Sequence, residues 1–296
     1  MLFLLKTFSF LLGHIPLPLS FLIADLLGYL VYKADRKRRN IALDNLMLAY
    51  GESITPDEKD RIVRTVFRNL ARMFFEFMRI PWLRGRGIDR YIRCEGIENL
   101  ERALERKKGA IILTGHYGNW ELIAAFLGLK GFRMDIVVRD LDNPAVDAFV
   151  RWVRTRSGHT IVSKGRAMRT LLKTLNENGI VGILLDQNVA LVEGVFVPFF
   201  GVQACTNRGT AMMAASSCAH VIPTFIFREG RTHRMVLGRE IPLSLTGDKE
   251  RDALQNTARF TAAIEETIRK KPEDWFWVHR RWKTRPPVEN VPGKRG

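Results

Sequence analysis

Cysteine is scarce in this chain: three in 296 residues, Cys94, Cys205 and Cys218, far apart and without a C-x-x-C spacing. Structural zinc sites and thiol–disulfide motifs need that spacing, so neither is expected, and the thiols suit a reducing compartment. There is no Gly-x-Ser-x-Gly elbow and no cysteine in a nucleophile motif, so no covalent intermediate is expected on Ser or Cys. No zinc-ligand spacing and no RNP-like aromatic motif accompanies the basic residues, which argues against nucleic acid. No apolar run of roughly 20 residues is unbroken, as a plain transmembrane helix would require. Lys6, His14, Pro16, Pro18 and Asp25 interrupt the most hydrophobic segment, Met1 to Tyr32, and it lacks the small-residue cleavage site of a signal peptide. Repeats and long linkers are absent. Acid is also short: 31 Asp and Glu face 47 Lys and Arg, a net charge of +16 with a pI near 10.2.

A surplus of positive charge this large attracts an acidic partner: nucleic acid, anionic lipid, a phosphorylated sugar or an acidic protein. The basic residues cluster beside apolar ones: Lys33 and Arg36 to Arg39 follow the N-terminal segment, and Arg84, Arg86, Arg90 and Arg93 follow Ile80-Pro-Trp82. Basic beside apolar and aromatic suits an anionic membrane surface. Residues 1–32 read as two short helices, Leu2–Leu12 and Ser20–Tyr32, joined by a proline turn and lying in the membrane interface. A tilted single span and a core helical hairpin are the alternatives. The basic run after Tyr32 places residues 33–296, read as one domain, on the cytoplasmic side.

Thr55 to Met78 predicts an amphipathic helix. Thr55 caps it, Pro56 takes the first turn, Glu58 completes a capping box, and Ile62, Val66, Phe67, Leu70, Met73, Phe74 and Phe77 form its apolar stripe. From Tyr91 on, strands alternate with helices. Strands are expected near 111–114, 135–138, 160–162, 180–185 and 220–227, with an edge strand at 235–240. Helices are expected near 119–129, 144–156, 166–177, 206–219 and 252–271. The fold class is α/β, a mixed sheet flanked by helices. Active sites in such sheets gather at the carboxyl ends of strands, where His116, Arg139 and Asp186 all fall. A loose polar tail runs from Pro286 to Gly296.

The most informative residues are Thr114-Gly-His-Tyr-Gly-Asn-Trp-Glu121. His116 sits where the strand over 111–114 ends, and Glu121 follows five residues on. Five is a poor spacing for two groups on one helix face. It works with His116 in the loop and Glu121 in the first helical turn, where the carboxylate orients the imidazole. Gly115 and Gly118 let the backbone approach a ligand closely.

This segment resembles the signature of the bacterial lipid A late acyltransferases, whose pattern is His, four residues, then Asp or Glu. Further segments resemble the family in order: Val138-Arg139 with Asp142-Asn143-Pro144, Leu184-Leu185-Asp186-Gln187, Val197-Pro198-Phe199-Phe200-Gly201, and Trp277-Val-His-Arg-Arg-Trp-Lys-Thr-Arg-Pro286. The resemblance implies a glycerolipid-acyltransferase-like sheet and an enzyme on the cytoplasmic face of the inner membrane. It implies acyl carrier protein as donor, a hydroxyacyl chain of a lipid A precursor as acceptor, and neither metal nor cofactor. Another glycolipid or a phospholipid is the alternative acceptor, and a non-catalytic basic membrane-surface protein the alternative class.

On this reading His116 is the general base and Glu121 its orienting partner. Arg139 holds a phosphate or the developing oxyanion, or else makes a surface ion pair. Asp186 contacts the acceptor, supports His116, or merely forms a turn. Asn119 caps the helix or meets substrate, and Arg208 meets phosphate. Arg280, Arg281 and Lys283, with Trp282 as an aromatic anchor, form a surface contact for the carrier protein or for lipid.

Overall fold

The computed structural model describes residues 1–83, 87–138, 141–163 and 167–287. Arg84, Arg86, Arg139 and the tail from 288 lie outside that range.

Four helices of 13 to 24 residues come first in the chain. α1 (Leu2–His14) and α2 (Leu17–Ala34) form a hairpin. Pro16 stands at the N-cap of α2 and Pro18 in its first turn, where a missing N–H costs nothing, so α2 starts at Leu17 rather than Ser20. The basic run 36–39 forms the first turn of α3 (Arg36–Tyr50), capped by Asp35. α4 (Pro56–Arg79) carries the expected capping box, both reciprocal bonds present.

A short helix, α5 (Gly87–Tyr91), leads into the α/β body: β1 (Ile92–Glu95), α6 (Ile97–Glu105), β2 (Ala110–Thr114), α7 (Trp120–Leu129), β3 (Met134–Val138), α8 (Pro144–Thr155), β4 (Thr160–Ser163), α9 (Ala167–Asn176) and β5 (Ile180–Leu184). A hairpin of β6 (Gly194–Phe199) and β7 (Val202–Asn207) follows, then α10 (Gly209–Ser217), β8 (His220–Glu229), β9 (Thr232–Leu237) and α11 (Lys249–Lys270). The seven-stranded sheet runs β1-β9-β8-β2-β5-β3-β4, with only β8–β9 antiparallel. The sheet is therefore mixed, as the pattern of the sequence implies. Within this body two expectations are corrected and one hairpin is new. β9 is internal, because the short strand β1 pairs outside it. The hairpin β6–β7 was not expected. Because Thr206 belongs to β7, α10 begins at Gly209 rather than at residue 206.

β2 alternates its side chains between two cores. Ile111 and Leu113 pack with α9, α10 and α11 through Leu171, Met213 and Phe260. Ala110 and Ile112 pack with α6, α7 and α8 through Leu100, Leu122 and Phe149. Period-two alternation in a strand buried on both faces requires apolar residues throughout, as the run 110–113 supplies. α4 feeds both cores, with Ile62, Val66 and Phe67 in one and Phe75, Phe77 and Met78 in the other.

α2 docks along α4 through Ser20, Phe21, Ala24, Gly28 and Tyr32. Gly28 permits the contact: a Cβ there would stand 2.8 Å from the backbone of Arg68. A bidentate ion pair from Arg72 to Asp25, 2.5 and 2.6 Å, adds a polar tie. The opposite faces of α1 and α2 expose Phe3, Leu4, Leu11, Leu22, Leu26 and Leu30. Leu17–Ala34 is long and apolar enough to cross a bilayer by length and composition.

Candidate active site

Parallel pairing of β2 with β5 places Thr114 opposite Leu184. Two residues past that rung on each strand stand His116 and Asp186. Side chains at equivalent positions beyond adjacent parallel strands project from the same sheet edge, so the register alone brings them together. The His116 Nδ1 lies 2.7 Å from Asp186 Oδ1, and the His116 backbone N–H donates to Asp186 Oδ2 at 2.7 Å. The Trp275 indole N–H donates to the same Oδ2, also at 2.7 Å. Asp186 is 2% exposed, and a buried acid resists ionising. That burial pushes its pKa up, but the neighbouring imidazole and the three hydrogen bonds outweigh it and hold the carboxyl at about 2. An ionised Asp186 accepts only, so His116 carries its proton on Nδ1 and leaves the Nε2 lone pair for incoming protons. The Gln187 amide sits 3.2 Å from that Nε2. Trp120 packs edge-on against the imidazole at 4.9 Å, with Phe276 tilted at 5.9 Å.

The loop that carries His116 is held by the C-terminal segment. Gly118 N–H donates to Asp274 O at 2.8 Å, and Phe276 N–H to His116 O at 3.0 Å. Gly118 has φ +57°, and a Cβ there would lie 2.0 Å from Ile226 O. At Gly115 a Cβ would lie 3.1 Å from the Asp186 carboxyl. Both glycines thus bring the backbone close to protein groups, where the sequence suggested a ligand.

Glu121 does not orient His116. It lies in the first turn of α7 and makes a bidentate pair with Arg154 of α8, at 2.6 and 3.0 Å. Both ring nitrogens of His116 meet other groups, and helical geometry turns Glu121 toward α8. Asn119 is buried away from the cavity and donates to Glu76 of α4 at 2.8 Å. It stands at the N-cap of α7 but makes no side-chain capping bond. Arg208 is exposed at the start of α10.

Arg281 and Trp282 are buried, which corrects their reading as surface contacts; Arg280 and Lys283 are exposed. Arg281, 0% exposed, donates to Cys205 O at 2.9 Å, to Thr206 Oγ1 at 2.5 Å and to Gln187 O at 3.3 Å. Burial lowers its pKa to about 10. The guanidinium joins the loop after Asp186 to β7. Trp275, Arg154 and Gln187 are the site residues that sequence reasoning missed. Only the Asp-Gln pair and the tryptophan-rich run 275–282 offered a signal.

His116, Trp120, Glu121 and Arg154 line a cleft of about 750 Å³, within the roughly 300–1,000 Å³ common for small-molecule sites. Its walls are mostly apolar: Ile112, Ile123, Met134, Ile136, Leu184 and Met213 among others. The pairing of β3 with β5 ends at Ile136↔Gly182, whereas β2 and β5 continue to Thr114↔Leu184. Beyond that rung β3 and β5 no longer pair with each other, and Val137 and Val138 on one strand and Ile183 and Leu184 on the other line the cleft. Among the described residues no cluster of His, Cys, Asp and Glu could hold a metal ion.

Residues 1–284 match the family model described as bacterial lipid A biosynthesis acyltransferase. The chain belongs to this family. It is 27% identical over 285 residues to the lipid A biosynthesis lauroyltransferase of Escherichia coli K12, covering 95% of this chain and 90% of that protein. It is 28% identical over 278 residues to a lipid A biosynthesis acyltransferase of Haemophilus influenzae, covering 92% and 86%. A crystal structure of a 1-acyl-sn-glycerophosphate acyltransferase from Thermotoga maritima aligns with a TM-score of 0.41 at 11% identity, covering 88% of this chain and 99% of that one. In the present acyltransferase, His116 lines a mostly apolar cleft and Asp186 lies buried behind it.

Proposed function

We propose that the acyltransferase moves a fatty acyl chain from acyl carrier protein to the hydroxyl of a hydroxyacyl chain on a lipid A precursor, with His116 as general base. The observation that carries this reading is the His116 imidazole, bound through Nδ1 to buried Asp186 and lining a mostly apolar cleft. The acceptor hydroxyl gives its proton to Nε2 as its oxygen attacks the thioester carbonyl. Asp186 stabilises the imidazolium that forms. Collapse of the tetrahedral intermediate breaks the carbon–sulfur bond, and the thiolate takes the proton back from His116. The thioester is already activated, so a base and positioning suffice and no covalent enzyme intermediate is needed.

The apolar walls suit an acyl chain. Arg154, fixed by Glu121, sets a cation in the cleft wall where a phosphate or developing oxyanion would be held. Arg139, outside the described residues, and exposed Arg208 keep their proposed part in phosphate binding. Asn119 acts from behind the loop rather than on substrate. The apolar outer faces of α1 and α2, beside the basic start of α3, support anchoring of residues 1–32 at the cytoplasmic face of the inner membrane. The docking of α2 on α4 favours the interfacial arrangement over a free span. For the acidic carrier protein, exposed Arg280 and Lys283 remain as contacts, and Arg281 does not.

His116→Ala is expected to lower transfer about 10² to 10⁴-fold in a purified assay with carrier-bound acyl donor, while circular dichroism stays that of wild type. Normal transfer by the folded variant would remove His116 as the base. Mass spectrometry of lipid A from cells with and without the chain tests the acceptor, and an unchanged acylation pattern would redirect it to another glycolipid.

A further inference from the structure

The turn between β5 and β6 holds two apolar side chains in water. Leu191 is 53% exposed and Val192 81%. The turn is not slack. Glu193 N–H donates to Ala190 O at 3.0 Å, Arg208 N–H to Glu193 O at 3.2 Å, and Thr284 Oγ1 to Val189 O at 2.9 Å. A Cβ on Gly194 would lie 2.5 Å from Cys205 Sγ, so the base of the turn is seated tightly on β7. A rigidly mounted apolar tip points to something that covers it.

Its surroundings identify the cover. Asn188 and Val189, just before the tip, line the cleft that holds His116. So does Met168, which is exposed, and a Cβ on Gly209 would lie 3.2 Å from its Cε. The tip is therefore continuous with one rim of the cleft mouth through Glu193, Arg208, Gly209 and Met168. Cations flank it: Arg208 is bonded to the turn through its backbone, and Lys283 and Arg285 stand either side of Thr284, all three exposed. None of the three meets a carboxylate among the described residues. Glu193 is partly buried and engaged within the protein. An apolar tip flanked by exposed cations that meet no carboxylate among the described residues matches a surface with negative headgroups over hydrocarbon.

We propose that the 190–193 turn is a second membrane contact, which inserts Leu191 and Val192 among anionic headgroups and seats the cleft mouth on the bilayer so that a lipid acceptor reaches His116 without crossing water. This deepens the acyl-transfer reading and rests on it for the lipid acceptor, but its test needs no turnover. Val192→Cys, in a Cys94→Ser, Cys218→Ser background, carries an environment-sensitive fluorophore, and Glu250→Cys in the same background is the comparison. The full-length protein is mixed with vesicles of phosphatidylglycerol and phosphatidylcholine carrying nitroxide on shallow acyl carbons. The label at 192 is expected to shift to shorter wavelength and be quenched, while that at 250 stays unquenched. Arg208→Glu with Lys283→Glu and Arg285→Glu should reduce the quenching, as should vesicles of phosphatidylcholine alone. A label at 192 that stays in water while the protein sediments with vesicles overturns the proposal. So does a label protected by an acidic carrier protein but not by vesicles, which would make the turn a protein-docking site. If the label is quenched while lipid A is unchanged in cells, the membrane contact stands and the acceptor assignment fails.

Discussion

Among the buried carboxylates, Glu76 on α4 and Asp186 past β5 make an instructive pair. Glu76 takes five donors. Arg228 reaches both oxygens at 2.6 and 2.7 Å, His233 at 3.0 Å, Tyr91 at 2.6 Å and Asn119 at 2.8 Å. Burial pushes its pKa up, but the Arg228 and His233 charges outweigh this and hold it well below the ordinary range. Asp186 takes three donors, and one belongs to a ring that is 21% exposed at the edge of the cleft. The Glu76 cluster is closed on itself and joins α4 to β8, β9 and the start of α7. The Asp186 cluster is open at one end. A closed network holds elements together; an open one passes its polarisation to a group that meets substrate.

Removing the charge of each carboxylate tests this difference. Asp186→Asn should lower transfer about 10²-fold or more, because the amide no longer fixes the Nδ1–H tautomer or supports the imidazolium. Glu121→Gln should leave the acidic limb of the kcat–pH profile in place, and a shift of that limb by Glu121→Gln but not by Asp186→Asn would restore Glu121 as the orienter. Glu76→Ala should instead act on stability, by about 3–5 kcal/mol, since it leaves the Arg228 cation buried without its partner. The measurement is chemical denaturation, and a midpoint equal to wild type would mean that the network contributes nothing.

Trp275→Phe keeps the ring and removes one hydrogen bond to a charged group, worth about 1.5–3 kcal/mol. Asp186 should become easier to protonate and transfer should fall modestly, with a shifted acidic limb in the pH profile. The smallest effect is on acid stability. Asp186 titrates lower in the folded chain, at about 2 against 3.8 for the free group. It therefore stabilises the fold by about 2 kcal/mol above pH 4 and loses that contribution as pH falls toward 2. Wild type and Asp186→Asn should converge in stability below pH 2, and curves that stay parallel down to that pH would contradict an ionised Asp186.

The α/β class, the capped helix α4, the apolar central strands and the position of His116 at a strand end were all legible in the sequence, because each depends on residues near one another in the chain. Turn prolines, capping boxes and period-two runs are local physics. Glu121 drew attention for the same reason, being five residues from His116. Its partner is 33 residues away, and the partner of His116 is 70. Arg281 read as a surface charge because cations prefer water, yet three oxygens, two on β7 and one on the loop after Asp186, accept its hydrogen bonds and make burial tolerable. Only the parallel register of β2 and β5 decided which carboxylate meets the imidazole, and only the return of residues 273–282 over the His116 loop decided that a tryptophan would bind that carboxylate. Pairing between strands and burial of charge are settled by groups far apart in sequence, whose encounter no local pattern encodes.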